Sequence, residues 1–266
     1  MEHLWAGGLI ARRALFPQVV KANPCSLGKV GTRGVKGVGP MVFLITLVAA
    51  FLVCVAAHDL IRKYPAAFYT MILLLVAAFY VTSSMSLPGA VKLPILLLVK
   101  KCYLATALFV VVMFTGALPR TSKASACLRP IRAEISIAAC LACSGHVIDY
   151  ALAFFPRAFT GAIANQAMYA GLLVAVVLVV LLAVLGVTSL RAVKRVMSQG
   201  TWKRVQMLAY PFYGLVFAHV LLMLLPSAMS GSAAGIENIA AYSVVFAAYA
   251  IARLCRARAD RAQAKA

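Results

Sequence analysis

The sequence predicts an all-α protein, a polytopic membrane helix bundle of six to seven transmembrane helices. Hydrophobic residues make up 64% of the 266 positions and charged residues only 12%, about half the share of charge in an ordinary soluble domain. The apolar residues form long runs, and the basic residues fall in short clusters between those runs. The net charge of +20 therefore reports membrane topology, with lipid as a partner, and we expect no nucleic-acid partner.

Seven apolar runs have the length of a membrane helix, about 18–24 residues. They cover residues 41–58, 66–86, 99–118, 134–155, 168–189, 207–225 and 237–254. The start of the third run is the weakest boundary, because Lys100 and Lys101 interrupt the apolar run Leu93–Val99. An interfacial segment over Pro88–Val99 is the alternative there. Six prolines are expected in or beside the connections, where the missing amide hydrogen costs little: Pro88, Pro94, Pro119, Pro130, Pro156 and Pro226.

The runs divide the chain into four parts. Residues 1–40 form a basic, Gly-rich extension without a periodic pattern, which predicts disorder. Residues 41–98 hold the N-terminal transmembrane helices, residues 99–254 hold the helices with the candidate site, and residues 255–266 form a basic tail. Met41 stands directly at the start of the first run, so a natural chain that begins at Met41 is the alternative to a translated extension.

The distribution of basic residues predicts the orientation of the bundle. Segments 59–65, 119–134 and 190–206 and the C-terminal end from Arg253 carry sixteen Lys and Arg residues, and the opposite loops carry four. The positive-inside rule then predicts that the C-terminus lies in the cytoplasm. Seven spans would leave residues 1–40 outside although they carry six basic residues. A chain that begins at Met41 removes this conflict.

Two histidines lie near the middle of apolar runs, at similar distances after basic clusters. His146 comes 12 residues after Glu134, and His219 comes 15 residues after Arg204. At 1.5 Å per residue, both imidazoles lie about 18–22 Å from the same membrane face. An ionisable residue inside a membrane indicates function by default, and two imidazoles at one depth on co-directional helices suit the axial positions of a b-type heme. A neutral histidine bonded to another helix is the structural alternative.

Other polar residues in these runs carry weaker signals. The seven cysteines are scattered and show no disulfide spacing. In Cys140-Leu-Ala-Cys143-Ser-Gly-His146 two residues separate the second Cys from the His, so the c-type heme motif is absent and a small-residue face of a packed helix is the expectation. Asp149 lies one turn beyond His146, where it would orient the imidazole, contact a heme propionate, or sit at the outer interface. His58, beside Asp59, is expected at the membrane interface.

Short motifs in the second half resemble the ferric reductase-like transmembrane family. They are Leu185-Gly-Val-Thr-Ser-Leu190, a basic loop, Trp202-Lys-Arg-Val-Gln206-Met-Leu-Ala-Tyr210 and His219, preceded by Met113-Phe-Thr-Gly-Ala-Leu-Pro119 and by Arg129-Pro-Ile-Arg132 through His146. The heme-binding membrane subunits of bacterial periplasmic methionine sulfoxide reductase systems are the most similar group. The resemblance covers about residues 100–225 and implies that 99–254 form a heme-binding helix bundle with His146 and His219 as ligands of the heme iron.

One position departs from the family pattern. The family has a His four residues after the Trp, and this chain has Gln206. Gln206 lies 13 residues before His219, about 20 Å along a helix, the interval at which a second heme would stack. An amide is a poor iron ligand beside imidazole. We therefore expect one heme b, towards the outer half of the bilayer.

The resemblance implies an electron carrier, because imidazole at both axial positions favours outer-sphere electron transfer. We expect electrons to come from a quinol or a separate flavoprotein and to pass to an extracytoplasmic reductase, another redox partner or ferric iron. The chain is then an electron-transfer subunit rather than a self-contained enzyme. FMN is implied by the resemblance alone, since no Gly-rich phosphate loop supports it. A small transporter and a cofactor-free structural membrane subunit are the alternatives.

Overall fold

The computed structural model describes residues 38–119, 121–160 and 165–263. They form twelve α-helices, and no strand occurs among them. The helices are α1 (Val38–Ala56), α2 (His58–Lys63), α3 (Pro65–Ser84), α4 (Gly89–Val99), α5 (Tyr103–Ala117), α6 (Lys123–Leu128), α7 (Arg132–Phe159), α8 (Gln166–Ser189), α9 (Arg191–Val196), α10 (Gln199–Gln206), α11 (Ala209–Met229) and α12 (Ala233–Gln263). The predicted extension over residues 1–40 lies outside the described residues, except for the first three positions of α1.

Five units are long and apolar enough to cross a bilayer. They are α3, α7, α8, α10 together with α11 (Gln199–Met229), and α12. A sixth unit is formed by α4 and α5, which reach that length only together and meet at 41° across a short break. The described residues therefore confirm the predicted polytopic membrane helix bundle, with five spans or six if the bent pair crosses as one. The break falls at Lys100–Cys102, the boundary that the sequence marked as weakest.

Helix α1 is shorter, with an apolar length of Pro40–Ala56, but it accompanies α5 along the bundle. At its start, the Phe43 ring lies 5.8 Å from the Tyr103 ring and stacks at 4.3 Å on Tyr242, measured between centroids. At its far end, Cys54 belongs to the buried cluster that includes Leu128, the last residue of α6. Because Tyr103 begins α5 and Leu128 follows its end, α1 and α5 run in the same direction.

Helix α5 forms the centre of the bundle. Nearly every side chain from Tyr103 to Ala117 is buried, and the helix packs against α1, α7 and α12. In contrast to α5, α8 lies at the surface of the bundle. Large apolar side chains along the middle of α8 are exposed, such as Leu173, Val176 and Val180. Apolar side chains on the outer surface of a bundle are the expected contact with lipid tails.

Helix α8 lies between α7 and α11 and runs antiparallel to both. Gly186 near its end lies against Cys140 in the first third of α7, where an added Cβ would be 3.1 Å from the sulfur. Gly171 near its start lies against Met223 in the second half of α11, with a Cβ-to-sulfur distance of 3.0 Å. Because α8 is antiparallel to both neighbours, α7 and α11 are co-directional, as the heme hypothesis requires.

An ion pair ties the first turn of α7 to the segment that follows α8. The Glu134 carboxylate is buried, and Arg191 Nη2 donates to its Oε1 at 2.5 Å. The other oxygen, Oε2, has no hydrogen-bond partner among the described residues. The hydrogen bond with the Glu134 carboxylate, and then its negative charge, raise the pKa of the Arg191 guanidinium, because both stabilise the protonated form.

Three helices, α7, α11 and α12, extend beyond the predicted runs, which end at residues 155, 225 and 254. Pro94 lies inside α4, and Pro156 and Pro226 lie in the last turns of α7 and α11, beside the connections. Each removes one intrahelical hydrogen bond, which membrane helices tolerate more often than soluble ones. Residues 255–263 of the predicted basic tail continue α12 to Gln263. Its Ala and Arg residues are strong helix formers, and Arg256 pairs with Asp260 one turn on at 2.8 Å.

Candidate functional site

His146 is held by the break between α4 and α5. Its Nδ1 lies 2.7 Å from the backbone oxygen of Lys100. That carbonyl is available because α4 ends at Val99 and Cys102 turns the chain with a left-handed φ of 60° before α5 begins. No other backbone group in the described part of the chain donates to it. The contact joins residues 46 positions apart and sets the orientation of the imidazole from a second helix.

His219 is held in the same way by α8. Its Nδ1 lies 2.9 Å from the backbone oxygen of Gly171. The glycine matters because α11 approaches this turn closely: an added Cβ would lie 3.0 Å from Met223 and 3.5 Å from Leu222. The absence of a side chain at position 171 therefore brings the carbonyl within reach of the imidazole.

These two hydrogen bonds decide the tautomer of both histidines. A carbonyl oxygen can only accept, so Nδ1 must carry the proton in each ring. Neutral imidazoles of this tautomer present an unprotonated Nε2, and neither Nε2 has a hydrogen-bond partner among the described residues. Both rings are half-buried. Histidines that bind metals characteristically donate one ring nitrogen to a backbone carbonyl and ligate through the other.

Charged and aromatic side chains surround His146. Lys100 Nζ pairs with Asp149 Oδ2 at 3.1 Å, and both side chains are half-buried. Asp149 thus contacts Lys100. Of the three roles considered for Asp149, the orientation of His146 through Nδ1 falls to the Lys100 carbonyl instead. The Tyr150 ring lies 4.6 Å from the imidazole centroid. The sequence did not predict that Lys100 contacts His146 and Asp149, because it indicated only that Lys100 interrupts an apolar run.

The cysteines near His146 contact neighbouring helices. Cys143 Sγ lies 3.8 Å from Cys102 Sγ at the break, and Cys140 packs on Gly186. This agrees with a small-residue face. Within residues 38–119, 121–160 and 165–263, no three His, Cys, Asp or Glu side chains converge as metal ligands. An axial heme pair needs only two.

Gln206 stands where the family that this chain resembles has a histidine, and its side chain forms a hydrogen bond between two helices. Its Nε2 donates to Thr188 Oγ1 at 3.0 Å, and Trp202 Nε1 donates to the Thr188 backbone oxygen at 3.0 Å. Both bonds fix α10 to the end of α8.

His58, at the junction of α1 and α2, has its Nδ1 2.9 Å from the Val55 oxygen of the preceding turn and lies 3.4 Å from Asp59. It is remote from the other two histidines in sequence and uses a carbonyl of its own segment.

The chain is similar to an uncharacterized protein of Treponema pallidum (strain Nichols). The two are 34% identical over 222 residues, which cover 82% of this chain and 61% of that protein. The chain thus spans less than two thirds of the length of this relative. No family model matches the sequence, and no solved structure matches the chain.

Proposed function

We propose that the protein is an integral membrane b-type cytochrome with one heme between His146 and His219. It passes electrons from a quinol or a separate flavoprotein to an extracytoplasmic reductase or to ferric iron. The single observation that carries the proposal is the matched state of the two imidazoles: each donates Nδ1–H to a backbone carbonyl and keeps Nε2 for a ligand. Membership of the ferric reductase-like family, suggested by the motifs, is part of the proposal.

The residues present suit the two axial positions of a heme iron. Imidazole is the nitrogen donor that haem proteins use most, and a hydrogen bond at Nδ1 fixes the ring and raises its basicity. A heme held by these two imidazoles would supply a one-electron carrier. The chain contributes orientation of the imidazoles through the Lys100 and Gly171 carbonyls. FMN rests on the resemblance alone, and we assign it no residues.

The orientation belongs to the same proposal. The basic residues at one end of the bundle support, by the positive-inside rule, a cytoplasmic location of that end and of the C-terminus in a bacterial cell. His146 and His219 then lie towards the outer half of the inner membrane. This position suits an electron acceptor outside the cytoplasm.

The test is a reduced-minus-oxidised visible spectrum of the detergent-purified protein, expressed with sufficient heme. We expect a low-spin b-type spectrum with about one heme per chain, lost or converted to high spin in His146→Ala and in His219→Ala. His58→Ala is the matched control, because it also removes an imidazole bonded to a carbonyl, and its spectrum should equal that of the natural protein. Absence of a Soret band in heme-replete natural protein would refute the proposal.

A second candidate is a small transporter, and the observation that favours it is the broken span. Discontinuous helices with free carbonyls and internal charges line many transport pathways, and the α4–α5 break brings Lys100, Lys101 and Asp149 together. A substrate-dependent uptake signal in vesicles without any heme, abolished by Asp149→Asn, would favour this candidate. Heme-dependent spectra that vanish with either histidine would favour the cytochrome.

A further inference from the structure

A cavity of about 360 Å³ lies at the basic end of the bundle, away from the two histidines. It is partly open to the outside and is bordered by the end of α5, the start of α7, the α10–α11 junction and the last part of α12. Small-molecule sites in proteins begin at about 300 Å³, so the space is large enough for a specific ligand.

The charges around this cavity are unbalanced. Five basic side chains line it, and Asp260 is the one acidic residue among its lining. The basic residues are Arg129, Arg132, Lys203, Arg253 and Arg256. Asp260 pairs with Arg256 at 2.8 Å, and no other acidic group in the described part of the chain lies within ion-pair distance of the remaining four. Like charges brought together repel each other, so the arrangement is complementary to a bound anion.

Two of the arginines are held in place by neutral partners. Arg253 Nε donates to the Tyr210 hydroxyl at 3.1 Å, and Arg129 Nε donates to Ser125 Oγ at 2.5 Å. Each of these bonds uses only the Nε–H, so the two terminal NH₂ groups of both guanidiniums stay available. Arg132 and Lys203 make no side-chain hydrogen bond with any described residue. Such groups match the oxygens of a phosphate, which arginine binds with two parallel hydrogen bonds.

The rest of the lining is aromatic and apolar. Tyr249 is buried, and Trp202, Met113 and Met207 also line the cavity. A site for a bare inorganic ion would not require this surface. The combination suits an anion that carries an apolar or planar group, in the zone where lipid headgroups meet the ends of membrane helices.

From this cavity we infer a second ligand site: it binds a phosphate group, carried either by an anionic phospholipid or by a soluble phosphate compound. Arg132, Arg253 and Lys203 contact the phosphate oxygens. Tyr249 and Trp202 contact the group attached to the phosphate. The inference does not depend on the proposed heme, which would lie elsewhere in the bundle.

The experiment uses the full chain purified in neutral detergent and distinguishes the two sources. In the soluble arm, inorganic phosphate and pyrophosphate are titrated while the thermal unfolding midpoint is followed, with chloride at equal ionic strength as the reference. In the lipid arm, native mass spectrometry counts bound phosphatidylglycerol against phosphatidylcholine. A saturable response in either arm identifies the source.

Three single variants, Arg132→Gln, Arg253→Gln and Lys203→Gln, test the residues. We expect each to weaken the response about tenfold or more, the loss typical of one charge-assisted hydrogen bond. Arg258→Gln is the control, because this exposed arginine on α12 lies outside the cavity, and its response should match that of the natural protein. Lys203 is exposed, so its variant is expected to fold. Equal responses in all four variants, or none beyond that of chloride and phosphatidylcholine, would overturn the inference.

Discussion

Gly145 sets the distance between His146 and the carbonyl that holds it. An added Cβ at this position would lie 2.6 Å from Val99 Cγ1 and 3.1 Å from Val76 Cγ1. Only glycine therefore lets the end of α4 reach α7 closely enough for the Lys100 carbonyl to meet the imidazole. The Tyr80 hydroxyl of α3 also donates to the Gly145 oxygen at 3.0 Å, so both α3 and α4 contact this turn of α7.

The variant Gly145→Ala should destabilise the protein by about 1–3 kcal/mol, because overpacking forces Val99 and Val76 aside. The measurement is thermal unfolding in detergent. Gly214→Ala is the control, since this glycine lies inside α11 with nothing within 4 Å of an added Cβ. It should be neutral or stabilising by up to about 1 kcal/mol, because alanine is the better helix former. Equal losses in both variants would contradict the close approach at Gly145.

At the scale of elements, the broken α4–α5 pair is the feature that builds the site. The break leaves the Lys100 carbonyl without a backbone donor among the described residues, so it can accept from His146 alone. The break is anchored on α7 by three contacts: the Lys100 carbonyl with His146, Lys100 Nζ with Asp149, and Cys102 with Cys143. The last contact gives a direct test of this packing.

In a chain that retains only Cys102 and Cys143, mild oxidation with copper phenanthroline should form an internal disulfide. The sulfurs lie 3.8 Å apart, and closure to about 2.05 Å needs only small side-chain movements. Two thiols lose two protons and pass two electrons to the copper, so the mass falls by two hydrogens. Maleimide labelling after oxidation, read by mass spectrometry, measures the reaction. A chain that retains only Cys102 and Cys140 should stay reduced, since Cys140 packs on α8 instead.

At the scale of the whole molecule, the course of α1 determines how many times the chain crosses the bilayer. Its apolar length is at the lower limit for a span, but it accompanies the central helix α5 over its length. We expect α1 to cross, which gives seven crossings with the bent α4–α5 pair counted once. The two ends of α1 then lie on opposite sides of the membrane.

Single cysteines introduced into an otherwise Cys-free chain test this topology. Met41→Cys should react with a membrane-impermeant maleimide from the side opposite to Tyr64→Cys and Ala259→Cys. Six crossings separate positions 64 and 259, so these two should react from the same side. All three parent residues are exposed. Labelling of positions 41 and 64 from one side would show that α1 does not cross.

Composition and periodicity were enough to predict the bundle, because long apolar runs have few alternatives to a membrane helix. They also located both histidines on co-directional helices. The carbonyls of Lys100 and Gly171 could not be predicted, since every residue carries one and only the tertiary arrangement selects those within reach of an imidazole. The basic cavity could not be predicted for a similar reason. Its arginines come from segments more than a hundred residues apart, and each segment taken alone indicated only the membrane topology.

Both histidines donate to main-chain oxygens, which remain in place when the side chains of the acceptor residues are exchanged. Exchange of the side chain at position 100 leaves the acceptor oxygen in place, so it cannot by itself abolish the orientation of His146. The vulnerable positions are those that set the path of the backbone: the left-handed turn at Cys102 and the close approaches at Gly145 and Gly171. The positions that preserve the site across diverging sequences should therefore be mostly small residues without a chemical role of their own.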